Sequence, residues 1–142
     1  MKSKVFSIII GALLLTTLGT GCLYFSWKKE AKETGIKAVK LMYTFDTYED
    51  VYSKQMNELQ KICNQDVYKQ LNVNNIDRAL NSYLRFKGNA SEVNIIEATN
   101  SYVKYSLNTL SISKERQFVL FYHVNIWGKI DKVSECEIES FY

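Results

Sequence analysis

The stretch QFVLFYHVNIWGKIDKVSECEIESF, residues 117–141, decides the fold. Its first eleven residues alternate with a period of two. Phe118, Leu120, Tyr122, Val124 and Ile126 fall on one face, and Val119, Phe121, His123, Asn125 and Trp127 on the other. Successive side chains of a strand point to opposite sides, so the pattern predicts a strand that is apolar on both faces and therefore central in a sheet. Gly128 and Lys129 then predict a tight turn. A last strand should follow, with Ile130, Cys136 and Ile138 inward and Glu135, Glu137 and Glu139 toward water. Val133 does not fit that alternation, which points to a bulge.

Working back from this pair, the period of two begins at Glu92. Val103, Tyr105 and Leu107 alternate with Lys104, Ser106 and Asn108, the mark of a half-buried strand. SKER, residues 113–116, reads as a charged turn. Before Glu92 the spacing is helical. Ile36, Val39 and Tyr43 share one face. Thr47 and Asp50 form a helix-start signal, and Tyr48, Val51, Tyr52, Met56, Leu59, Ile62 and Cys63 make a stripe suited to core packing. Residues 64–71 read as a further short helical piece. NVNN, residues 72–75, interrupts it, and Ile76, Ala79, Leu80, Tyr83 and Leu84 resume the helical spacing before the polar turn KGNAS, residues 87–91. Helices followed by about four strands on short turns predict an α+β fold, with the helices packed on one face of an antiparallel sheet.

The chain opens differently. Val5 to Trp27 holds no charged residue, and such a run at about 1.5 Å per residue is long enough for a hydrocarbon core of about 30 Å. Lys2 and Lys4 precede it. Tyr24, Trp27, Lys28 and Lys29 end it with the aromatics and cations of a membrane edge. A second reading remains. Gly19, Thr20 and Gly21 are small residues ahead of Cys22, as at a lipoprotein cleavage site, which would leave Cys22 lipidated. Against it, Leu18 stands one place too early, and Leu23, Tyr24 and Phe25 are apolar where a mature lipoprotein turns polar. A third reading is a buried helix of a soluble protein. The lysines after the span would hold the following domain inside, whereas the short basic tail before it is the usual start of an exported domain. The expectation adopted is a single-pass protein of the cell membrane with an extracytoplasmic C-terminal domain, the alternative being a lipid anchor at the cell surface. The domains expected are residues 1–29 as anchor or signal segment, 30–35 as a polar linker, and 36–142 as one α+β unit.

Charge agrees with a membrane flank. The chain has 142 residues and a net charge of +3, but four of its 18 basic residues lie before Glu30 and none of its 15 acidic ones does. From Glu30 onward the balance is −1, so direct nucleic-acid binding, which needs a basic patch on the folded domain, is not expected. Cysteine and histidine are too few for a structural zinc site, and no cofactor motif is present. Cys63 and Cys136 leave two readings open: a disulfide between helix and last strand outside the cell, or two small buried apolar residues.

The order of elements behind a membrane span resembles the type IV secretion inner-membrane scaffold family (the VirB-eight family), in its Gram-positive conjugative-transfer, TcpC-like branch. The residues that carry the resemblance are KAVKLMYTFDTYEDVYSKQMNELQKI, with the aromatic–acid pair Phe45 and Asp46 between two helices, and FVLFYHVNIWGKIDKVSECEIESF, with two long strands meeting at a Gly-Lys turn. The resemblance implies a nuclear transport factor 2-like cone on a curved sheet. It implies scaffolding rather than catalysis: contacts with the membrane, with other transfer-machine subunits and with further copies of the chain in a homo-oligomer. Within such a cone the one candidate pocket face is Phe121, His123, Asn125 and Trp127, where His123 would be the acid–base group. A lone histidine without a placed partner carries little specificity, so no enzyme is expected.

Overall fold

The computed structural model describes residues 2–43, 54–71, 93–107 and 116–138, and residues 2–8 by their backbone alone. The aromatic–acid pair Phe45–Asp46, the helix start at Thr47 and Asp50, the upper part of the next stripe (Tyr48, Val51, Tyr52), the helical spacing of residues 76–84 and Glu139 lie outside the described residues.

Helix α1 runs unbroken from Lys2 to Tyr43, 42 residues, or about 63 Å of rise. Its first part is apolar on every side. Leu13, Leu14 and Leu15 point in three directions and are 58–73% exposed to the surroundings, as are Leu18, Leu23 and Phe25. A helix that is hydrophobic all round needs lipid or a core about it, and this one is long and apolar enough to cross a membrane. The threonine hydroxyls within it are satisfied internally. Thr16 and Thr17 donate to the Leu13 carbonyl at 2.9 and 3.0 Å, and Thr20 donates to that of Thr16 at 3.0 Å, which removes the cost of polar groups in hydrocarbon.

The polar stretch 30–35 is not a break in structure. It continues α1, and Ala31 and Gly35 are buried within it. From Ala31 the helix turns one stripe to the domain: Ala31, Gly35, Ala38, Val39, Met42 and Tyr43 recur at steps of three and four and are all buried. Ile36, expected with them, is only partly covered. Small residues at the first three of these positions allow the helix axis to lie close against the sheet.

Helix α2, Met56–Ile62, packs beside α1 through Met56 and Leu59. It stops at Cys63, whose backbone is extended and bridges Ile130 in parallel. Residues 65–71 are helical again. Asn64 caps them, its side chain accepting from the Val67 N–H at 2.9 Å, and Val67 and Leu71 reach the core.

Four strands follow: β1 (Val93–Ala98), β2 (Tyr102–Leu107), β3 (Arg116–Val124) and β4 (Ile130–Ile138). They form an antiparallel meander in the order β1-β2-β3-β4. With α1 and the short helices on its one face, the domain has the α+β layout that the periodicity predicts. The core lies between α1 and the sheet, around Val39, Met42, Leu59, Val103, Tyr105 and Leu120.

Two expectations about the last hairpin are corrected. First, β3 ends at Val124, not at Trp127. Asn125 takes over the backbone there: its side-chain oxygen accepts from the N–H groups of Trp127 and Lys129 at 2.9 and 3.1 Å, and Gly128 supplies the positive φ of 73° that the turn needs. Although β3 is paired on both sides, its faces are unequally covered: Leu120, Tyr122 and Val124 lie in the core, while on the other face Val119 is half-buried and Phe121 and His123 are exposed. Second, the faces of β4 are exchanged beyond its start. Val124 pairs with Ile130 but His123 pairs with Lys132, so Asp131 is an extra residue. One inserted residue moves every later side chain to the other face. Val133, Glu135 and Glu137 therefore stand opposite the inward Tyr122, Leu120 and Phe118, and Cys136 and Ile138 stand on the outer side.

Candidate functional site

The helix-facing side of the sheet is held to α1 by two tyrosine contacts. Tyr122, from β3, rises beneath Gly35. Its hydroxyl hydrogen is shared between the Thr99 carbonyl at 2.6 Å and the Ala31 carbonyl at 3.1 Å. A Cβ on residue 35 would overlap the Tyr122 ring. Gly35 is thus the opening that lets a bulky aromatic side chain from the sheet reach the helix backbone. Burial pushes the Tyr122 phenol up to about 12, so it stays a donor through the physiological range.

The second contact closes the lower end of α1. Tyr43 donates to Glu135 at 2.6 Å, and Tyr105 approaches both the Tyr43 oxygen, at 3.0 Å, and the Glu135 carboxylate. The Tyr43 and Tyr105 ring centroids are 5.1 Å apart, and Phe118 stacks on Tyr105 with centroids 5.6 Å apart. Burial, with the neighbouring Tyr43 and Glu135, drives the Tyr105 phenol far above its usual range. A carboxylate that accepts from two phenols in a half-buried setting is a well-satisfied polar cluster. The bulge at Asp131 is what brings Glu135 to this side.

Between α1 and α2, Glu58 accepts from Lys61 at 2.6 Å and from Lys37 at 2.9 Å. These two ammonium groups, Lys61 first, hold its carboxyl down at about 2.

The outer side carries the residues expected to line a pocket, and it brings them to an open surface instead. Phe121 is 48% exposed and lies beside Tyr102, ring centroids 6.2 Å apart. His123 faces away from the helices and pairs through Nδ1 with the Asp131 carboxylate at 2.6 Å. Asn125 caps the turn. Trp127 is 82% exposed at its tip. Among the described residues the four do not converge on a cavity, because β3 presents Leu120, Tyr122 and Val124 to the helices and its alternate residues to the other side.

Cys63 and Cys136 are free thiols that cannot meet. Cys63 lies beside Ile130, buried, and Cys136 is six residues farther along β4 on the outer face. That is about 20 Å of strand, against the roughly 7 Å of Cα separation a disulfide permits. Burial pushes the Cys63 thiol up to about 12, consistent with an apolar packing role. Cys136 is neither bridged nor buried. Cys22 is exposed on the apolar part of α1.

At the end of the apolar run Tyr24 and Trp27 stack with centroids 6.3 Å apart, and the Lys28 ammonium lies 4.4 Å from the Tyr24 ring. Trp27 is half-buried, because it also borders a groove between α1 and the β3–β4 turn, with Ala31, Val124 and Gly128. Sequence reasoning missed Gly35 and Glu135. The first was legible as part of the small-residue stripe Ala31, Gly35, Ala38, and the second as a consequence of the misfit at Val133. Comparison with protein-family models, with curated proteins and with solved structures finds no match to this chain.

Proposed function

We propose that this protein is a membrane-anchored scaffold, a subunit of a conjugative-transfer or related secretion machine that works through protein–protein contacts with its domain outside the cell membrane. The observation that carries the reading is the continuity of α1. The same helix is an apolar rod up to Trp27 and a buried core element from Ala31, so the anchor holds the domain at a set height without a flexible joint. The use of the sheet supports it further. Its helix-facing side is filled by α1 and the Tyr43–Tyr105–Glu135 cluster, while Tyr102, Phe121 and His123 on the outer side are open to other subunits or to a second copy. The helices-then-meander order fits the cone-like, nuclear transport factor 2-like plan that the resemblance implies.

The test is recovery of the full chain from membranes in mild detergent after brief crosslinking, with its partners identified by mass spectrometry. Other transfer-machine subunits, or the chain itself, should be captured. Recovery of the chain alone, uncrosslinked, overturns the scaffold reading. The same spectra read the N-terminus: an intact Met1 end goes with the uncleaved span, and a lipidated Cys22 end replaces it with a lipid anchor.

A further inference from the structure

We infer that the β3–β4 turn is a second membrane contact, which sits in the headgroup region of the bilayer beside the end of the α1 span. The inference rests on the reading of α1 as membrane-embedded and deepens it. Ile126 and Trp127 are 85% and 82% exposed, more than any other large apolar residue described in the domain. They are not loosely held. Asn125 N–H donates to the Lys129 carbonyl at 2.9 Å, Gly128 N–H donates to the Asn125 carbonyl at 3.0 Å, and the Asn125 side chain ties the Trp127 and Lys129 amides. The turn is a braced platform that presents two apolar side chains outward.

Its height on the molecule identifies the occupant. Tyr122, two residues before the end of β3, touches the Ala31 carbonyl, and Ala31 is one helical turn, about 6 Å, beyond Trp27. Val124 and Gly128 border the same groove as Trp27 and Ala31. The turn therefore lies level with the aromatic edge of the span, and the interfacial layer on each side of a bilayer is about 5–8 Å deep. The chemistry matches that layer. Tryptophan favours it, and the exposed Lys129 joins Lys28 and Lys29 in offering cations to anionic headgroups. On the same end, the β1–β2 turn at Thr99–Ser101 is small and polar. Contact at both Trp27 and Trp127 would fix the tilt and rotation of the domain as well as its height.

The chain has two tryptophans, Trp27 and Trp127, so each can be read alone. The full-length protein is reconstituted in vesicles of phosphatidylcholine and phosphatidylglycerol, with and without brominated phosphatidylcholine, as the Trp27→Phe and Trp127→Phe variants. The expected result is that brominated lipid lowers the emission of both, Trp127 by about twofold or more, as for an interfacial indole, and that Trp127 is shielded from acrylamide. If Trp27 is quenched while Trp127 is not and stays open to acrylamide, the second contact is wrong and the anchor stands. If neither is quenched, the embedding of α1 fails and takes the second contact with it.

Discussion

The two halves of α1 are one helix in two different surroundings. From Ile9 to Phe25 its described large side chains point outward on all sides and are exposed. After Ala31 one stripe is sealed against a sheet, and even the absence of a side chain, at Gly35, has a defined use. The helical backbone is the same in both. What differs is whether tertiary neighbours read the side chains, so equal substitutions in the two halves should have unequal effects.

The largest contrast is between glycines. An added methyl at Gly19 meets nothing within 4 Å, while at Gly35 it meets the Tyr122 ring. Gly-to-Ala inside a helix is worth roughly 0.5–1 kcal/mol in favour of alanine, and overpacking a core costs about 1–3 kcal/mol or somewhat more. Gly35→Ala should therefore lower the unfolding free energy of the full chain in detergent by about 2 kcal/mol, and Gly19→Ala should leave it unchanged or slightly raise it. Equal shifts in denaturant midpoint would break the contrast.

Hydroxyls give the next test. Tyr105 donates within a buried cluster, whereas Thr17 only folds back on its own helix. Tyr105→Phe removes one donor and leaves the Tyr43–Glu135 bond in place, for a loss of about 1–2 kcal/mol. Thr17→Val should change stability by less than about 0.5 kcal/mol. The comparison is sharpened if Tyr43→Phe combined with Tyr105→Phe costs more than the two singly, the mark of one shared cluster.

The smallest effect concerns charge on the domain half. Glu58 is held at about 2 by Lys61 and Lys37, below its ordinary 4.5. A depressed carboxyl contributes stability that is complete above the ordinary value and lost as pH falls through the folded one. The tie between α1 and α2 should weaken from about pH 4.5 to pH 2. Because Glu58 is solvated, the change is small and screened by salt. The melting temperature of the wild type should fall toward that of Glu58→Gln over this window, and parallel curves would remove the ion pair from the account.

Much of the architecture is legible in the chain without coordinates. The uncharged run from Val5 to Trp27 announces a helix long and apolar enough to span a membrane, the period of two around Val103, Tyr105 and Leu107 announces a strand, and Gly128 announces a turn. These are local signals, and local geometry answers them. The continuity of α1 through residues 30–35 was hidden because polar residues there look like a linker when the sheet they face is unknown. In the same way, the alternation of residues 117–127 could not say which side of β3 the helices would cover. The exposure of Phe121 and His123 on the outer side and the turn at Asn125 put the residues expected to line a pocket on a surface.

The sequence by itself therefore determined the kinds of element, their order and the apolar rod at the start, because hydrophobic period and turn chemistry act over a few residues. Only the tertiary structure decided which side of the sheet is core, that Glu135 rather than Cys136 joins the tyrosines, that Cys63 and Cys136 stay apart, and that Gly35 must have no side chain. Each of these depends on a single bulged residue at Asp131 or on a close approach between segments distant in sequence. Their cause is packing and register between elements, which no window of neighbouring residues contains.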